Sequence, residues 1–337
     1  MGSATRDHVL VVMTLRPARV EARTTVVPPA AVLPDVLPTE RITETGVPVP
    51  EIRAELRRIA SYRNIGSIVL TWAQAIGTVW LAVWIGNPIA YAAAFLLMGP
   101  AHARFASLGH EAAHRLLFTN KRANDFVGRW LIAYPSFFPF DIYRRVHFAH
   151  HKDEFGPNEP DLGLYNGYPI TRASFWRKMR RDAFGNSGWK NLKTLLRGLR
   201  IPAGRPTVTR ILLAQLPLIA ASILVGRWWL WPLLWLAPWM TVWRVINRLR
   251  AIAEHGGMVR SKDRRLTTHH VRQSWPARFF MVPFNIGWHL AHHVDIGVPW
   301  RNLPALEREL EAAGWVTDPI TWPSYTALWR ALRARPA

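Results

Sequence analysis

From residue 64 to residue 103 the chain carries no Lys, Arg, Asp or Glu. Uncharged runs of this length are rare in soluble domains, and forty residues allow two passages of about 20 residues each, the length a hydrocarbon slab demands. Gly86, Asn87 and Pro88 supply a turn at the centre of the run. A second apolar block covers 211–243, where Arg227 is the only charged residue. Backbone polar groups in lipid must be satisfied within the segment, which leaves helices as the solution. The predicted fold is therefore all-α, an integral membrane protein with four transmembrane helices in two hairpins. The spans are placed at about 65–85, 89–105, 208–225 and 228–246. Trp228, Trp229 and Trp231 at one end of the last span, with Trp239 and Trp243 at the other, form an aromatic belt at the two interfaces.

The formal net charge is +21. The basic residues flank the apolar blocks and are not gathered into a recognition helix or arm, so no nucleic-acid partner is expected. The turns near Asn87 and Arg227 are almost free of charge, whereas the other connections are basic. Positive charge stays on the cytosolic side. Both termini and the polar stretches 107–207 and 247–337 are thus predicted to form a cytosolic helical cap. Residues 1–47, rich in Pro, Thr and Val without periodicity, read as a disordered or loosely ordered tail, and 48–337 as the folded membrane domain. Residues 50–62 read as an amphipathic helix, on the membrane surface or as an ordinary surface helix, with Ile52, Leu56 and Ile59 on one stripe and Arg53, Arg57 and Arg58 beside it. Residues 126–140, apolar but broken by Pro135 and Pro139, are too short to span and read as an interfacial or re-entrant piece. The sequence has no cysteine, which excludes thiolate metal sites and disulfides.

The polar stretches carry most of the histidines. His110 and His114 lie in H-E-A-A-H; His147, His150 and His151 in H-F-A-H-H; His289, His292 and His293 in H-L-A-H-H; His255 stands alone in A-E-H-G-G. On a helix, residues three and four apart share a face, so each box can aim two or three imidazoles at one point. Imidazole suits zinc, iron, copper and nickel. Nine candidates are too many for one ion and enough for two. His269 and His270 are adjacent and lack this spacing, so they are read as non-ligands; His102, inside the second span, is read as a hydrogen-bonded buried histidine.

In their order and their placement around two apolar blocks, these boxes resemble the membrane fatty acid desaturase and hydroxylase superfamily, as do the flanks D-I-Y-R-R at 141–145 and G-V-P-W-R-N-L at 297–303. The resemblance covers about residues 60–310 and is specific to the superfamily, not to a substrate. It implies two iron ions as cofactors and O2 as co-substrate. The ligand roles it implies fall on His110, His114, His147, His150, His151, His255, His289, His292 and His293. Family members often place an Asn four residues before the lone histidine; here Ala251 stands there, and Asn285, four before His289, is the candidate substitute. Ligating imidazoles donate their second N–H to a carboxylate or carbonyl, so Glu111, Asp141, Glu254 and Asp295 are candidates for that support. The resemblance further implies a lipid or acyl substrate and desaturation of its chain, with hydroxylation on the same site as the alternative. No H-P-G-G haem-binding motif is present, so electrons are expected from a separate carrier, a ferredoxin with its reductase. A cytosolic basic face would steer such an acidic partner. H-E-A-A-H taken alone is also the zincin signature with Glu111 as general base; a membrane zinc metalloprotease is the lesser reading because it leaves both H-x-x-H-H boxes idle.

Overall fold

The computed structural model describes residues 26–335, and these are mostly helical. Residues 1–25 of the expected tail lie outside the described residues. Residues 26–47 are seated: Val26 and Ile42 are buried, and Arg41 pairs with Glu309 at 2.7 Å. α1 (Pro50–Leu56) begins with proline at its first position, where the missing N–H costs nothing. It is shorter than the helix expected over 50–62, and Arg53 and Arg57 turn inward to Asp295.

α2 (Ser61–Ile85) and α3 (Pro88–Ala113) form the first hairpin. Gly86 closes α2 in the left-handed region at φ 72°, and the Asn87 side chain accepts the Ala90 N–H to cap α3. α3 does not stop at 105. It runs about 39 Å at 1.5 Å per residue, longer than the ~30 Å hydrocarbon layer, so the first box rides on its far end. Past Met98 nearly every residue of α3 is buried.

α4 (Lys121–Val127) passes without interruption into a π-helical turn (Gly128–Ala133) and a 3-10 turn (Tyr134–Ser136). This is the segment expected at the interface, and it is threaded into the main core: Ile132, Ala133 and Tyr134 are buried there. Its carbonyls are satisfied by neighbours' side chains. Gln215 Nε2 donates to Tyr134 O at 2.9 Å, Trp235 Nε1 to Pro135 O at 2.8 Å and Trp72 Nε1 to Leu131 O at 2.8 Å. Irregular backbone at such depth is tolerated only when protein groups complete it.

α5 (Phe140–Lys152) carries the second box, and α6 (Leu162–Tyr165) lies in the loop behind it. α7 (Arg172–Ala183) and α8 (Asn186–Arg197) lead to α9 (Arg205–Leu224), the first helix of the second hairpin. The span expected at 228–246 is not one helix. Pro232 and Pro238 each remove a donor; the chain makes a π turn (Trp231–Leu236), then α10 (Ala237–Met240), and breaks at Thr241 before α11 (Val242–His255). Among the described residues, α2 and α9 are long and apolar enough to cross a membrane. α3 matches them in length but carries His102 and Arg104 in its apolar run. The remaining helices, α12 (Trp275–Phe280), α13 (His289–Val294), α14 (Leu303–Ala312) and α15 (Tyr325–Leu332), close the polar end. The described strands are two-residue pieces, with His270 beside Thr321 and Val271 beside Trp322 in parallel.

Candidate metal centre

Four helices bring their last turns to one place. His110 lies in the last turn of α3 with His114 at its cap; His150 and His151 end α5; His255 ends α11; His292 and His293 end α13. The chain must leave each helix sharply there. Arg115, at φ 61°, turns away after His114, and Gly257, at φ 76°, does so after His255. A helix C-terminus carries about half a negative charge, so four such ends favour cations between them.

All nine predicted ligands converge, in two groups. The coordinating nitrogens of His110, His114, His147, His151 and His292 lie within 4.8 Å of one another, and so do those of His255, His289 and His293. His150 stands edge-on to both His255 and His293, with ring centres 4.9 and 5.2 Å away, and His151 lies between the groups. In the first group the His147 and His114 Nε2 atoms are 2.9 Å apart, His151 and His147 3.0 Å, His292 and His151 3.1 Å. In the second, His289 Nε2 is 3.1 Å from His255 Nε2 and 3.0 Å from His293 Nε2.

The other ring nitrogens say what those atoms are. His255 Nδ1 donates to the Thr267 carbonyl at 2.9 Å, since a carbonyl can only accept. His293 Nδ1 bonds Glu154 at 2.5 Å and His150 Nδ1 bonds Glu159 at 3.0 Å. The Nε2 atoms of His255 and His293 therefore face His289 with lone pairs, and lone pairs about 3 Å apart repel. Two imidazoles about 2.1 Å from one ion at a right angle sit about 3.0 Å apart, which is the spacing seen. His110 is fully buried with neither ring nitrogen hydrogen-bonded, a state costing about 1–3 kcal/mol unless something binds it. Burial pushes the imidazoles of His147, His151, His255, His289, His292 and His293 well below the usual range, which favours the neutral form that a metal ligand requires. Burial also lowers His150, but the Glu159 carboxylate outweighs it and the net shift is upward. The donor set fits two metal ions with nitrogen-rich coordination.

Of the predicted supports, Glu254 comes near a ligand candidate without bonding it: its Oε1 is 3.6 Å from His289 Nδ1, beyond hydrogen-bond reach, while Arg250 holds it at 2.7 Å. The others hold the scaffold. Glu111 accepts the Trp300 N–H at 3.1 Å and ties the first box to the segment after the third. Asp141 pairs with Arg129 at 2.7 Å. Asp295 takes Arg53, Arg57 and the Gly297 N–H. Asn285 accepts from Arg278 and donates to the Trp300 carbonyl, away from His289. A chain with 43 Lys and Arg against 22 Asp and Glu draws most carboxylates into such pairs. The imidazole-holding carboxylates that sequence reasoning passed over are Glu154 and Glu159. Their signal was position, in the acid-rich loop directly behind the second box.

Among the described residues, the remaining histidines stay apart from these nine. His102 Nε2 meets the Trp235 carbonyl at 3.0 Å. His269 Nε2 bonds the Gly256 carbonyl at 2.8 Å, and His270 sits with Glu307 and Glu311 in a separate group.

A cavity of about 800 Å³ opens on the histidines. His147, His150, His255 and His289 line it, and so do the aromatic side chains of Phe137, Phe138, Trp239 and Trp243.

The fatty acid desaturase family model matches residues 78–325, which includes every box. A dihydrorhizobitoxine desaturase of Bradyrhizobium elkanii is 24% identical over 300 residues, covering 81% of this chain and 83% of that one. A chloroplastic omega-6 fatty acid desaturase of Brassica napus is 23% identical over 86% of this chain and 68% of its own. An sn-1 oleoyl-lipid 12-desaturase of Arthrospira platensis is 22% identical over 68% of this chain and 70% of its own. The match spans well over half the sequence and takes in all nine converging histidines, so the chain belongs to the fatty acid desaturase family, an oxidoreductase family.

Proposed function

We propose that the protein is a membrane desaturase that uses two irons and O2 to introduce a double bond into an acyl chain. The observation that carries this reading is the two groups of imidazoles beside a cavity that four of them line together with Phe137, Phe138, Trp239 and Trp243. His110, His114, His147, His151 and His292 would hold one iron, and His150, His255, His289 and His293 the other. Irons held there would supply the O2 activation that removing hydrogen from an unactivated C–H bond requires. The chain's own residues do the rest. Glu154, Glu159 and the Thr267 carbonyl fix the inward face of His293, His150 and His255. Phe137, Phe138, Trp239 and Trp243 line the path of an apolar chain and keep water from it.

In this reading α2 and α9 cross the bilayer and are returned by α3 and by the broken α10–α11 segment, which makes four passages. The boxes then lie on the cytosolic side, where a ferredoxin-type carrier delivers electrons to a basic face. The zincin alternative is disfavoured by Glu111, whose carboxylate is committed to the Trp300 amide and not to a metal-bound water.

The test is elemental analysis of the purified chain together with mass spectrometry of lipids from cells expressing it. About two irons per chain and new unsaturated acyl products are expected. One zinc and no iron would sink the proposal.

A further inference from the structure

Arg244 sits on α11 with its side chain lining the cavity. Its Nε donates to the Trp239 carbonyl at 2.9 Å, and its guanidinium lies 4.1 Å over the Trp239 ring. Among the described residues no carboxylate pairs with it. Asp182, whose charge reaches it, is occupied by Arg248, Arg181 and the Ser187 hydroxyl. The other cavity cation on α11, Arg250, is neutralised by Glu254 at 2.7 Å. So one guanidinium lines the cavity beside Trp239 and Trp243, with no carboxylate in contact with it. Holding a cation there is costly unless an anion meets it. Asn247, Asn191 and Thr194 line the cavity with it and offer further polar contacts.

We propose that Arg244 anchors the carboxylate of the substrate, so that the protein acts on a free monocarboxylic acid with a long apolar chain. The guanidinium fork matches a carboxylate in a bidentate contact that an ester or thioester carbonyl cannot reproduce. Arg244 and His255 lie on the same helix, about 16 Å apart along its axis. Both side chains lean toward the helix N-terminus, so the offset carries over to their functional ends. An extended chain advances about 1.2 Å per bond, which puts the attacked carbon on the order of a dozen bonds from the carboxylate. The cavity's ~800 Å³ suits one such chain. The inference rests on the desaturase reading for where the reacting carbon lies; the anchoring of the acid does not.

The test measures equilibrium binding of radiolabelled hexadecanoate and its methyl ester to the metal-loaded full chain in detergent, by scintillation proximity. The acid should bind about tenfold to a hundredfold tighter than the ester. Arg244→Gln should bring that ratio near one without changing ester affinity or iron content, and Arg244→Lys should restore part of it. A ratio near one in the unaltered protein, or an unchanged ratio in Arg244→Gln, overturns the proposal. Should Arg244→Gln fail to fold, the unaltered enzyme decides by counting: given acids of 14, 16 and 18 carbons, it should attack at a fixed distance from the carboxyl. A distance fixed from the methyl end overturns the anchor while leaving the desaturase reading intact. Preferential binding of the acid with no turnover of any chain would overturn the desaturase reading and keep the anchor.

Discussion

At the scale of single residues, the histidines divide by what their second nitrogen touches. His293 and His150 are held by buried carboxylates, Glu154 and Glu159. Groups in that position usually set metal affinity by about 10–100-fold. Glu154→Gln should therefore weaken iron binding by roughly that factor, read by equilibrium dialysis against a chelator. Asp141→Asn should not, because Asp141 serves Arg129. A loss in Asp141→Asn equal to that in Glu154→Gln would mean the geometry has been misassigned. His292 and Glu111 give a second contrast. His292 Nε2 is 3.1 Å from His151 Nε2 within the five-histidine group, so His292→Ala should lose iron and abolish product. Glu111→Gln keeps an oxygen for the Trp300 N–H and should leave product measurable. The reverse outcome, with Glu111→Gln inactive and its metal intact, would favour the protease. The convergence of the eight box histidines was legible in the sequence because box spacing is a local property of helices, whereas His255, outside any box, came in through the family resemblance. The supports were not. Which of 22 acids meets an imidazole and which meets an arginine depends on how the loop at 153–169 folds back over the site, and spacing holds no record of that.

At the scale of elements, the apolar blocks announced the helices but not their ends. α3 continues through the first box because nothing between 105 and 113 breaks it, and tertiary burial rewards the extension. The last predicted span failed as a single helix for a reason the sequence did contain, Pro232 and Pro238, which the hydropathy of the block masked. The segment threaded between the helices depends on borrowed donors. Gln215→Leu leaves the Tyr134 carbonyl without its 2.9 Å partner, and about 1–3 kcal/mol of stability should go with it. Gly188 permits α8 to rest on α10: a Cβ there would overlap the Met240 backbone. Backbone cannot yield as a side chain can, so Gly188→Ala should cost about 1–3 kcal/mol. Thermal denaturation in detergent checks both, and an unchanged midpoint in either variant would refute the contact assigned to it.

At the scale of the whole molecule, the proposed topology makes a simple demand. Tags at residue 180 and at the C-terminus should be reachable from the cytosol, and a tag at Asn87 only from outside. A tag at residue 180 found outside would sink the four-passage arrangement. The convergence of α3, α5, α11 and α13 by their C-terminal ends reaches further than catalysis. Four partial negative charges and a shell of lone pairs form a hole that pushes itself apart. Ions bound as proposed would be the keystone of an arch whose stones are far apart in the sequence, from α3 to α13. Ions that bind the folded form alone stabilise it by mass action. A cell short of iron would make the same polypeptide with an arch that will not stay closed, and its proteases would see that before its lipids did. Protein lifetime, measured by pulse-chase with and without an iron chelator, should fall when iron is withdrawn.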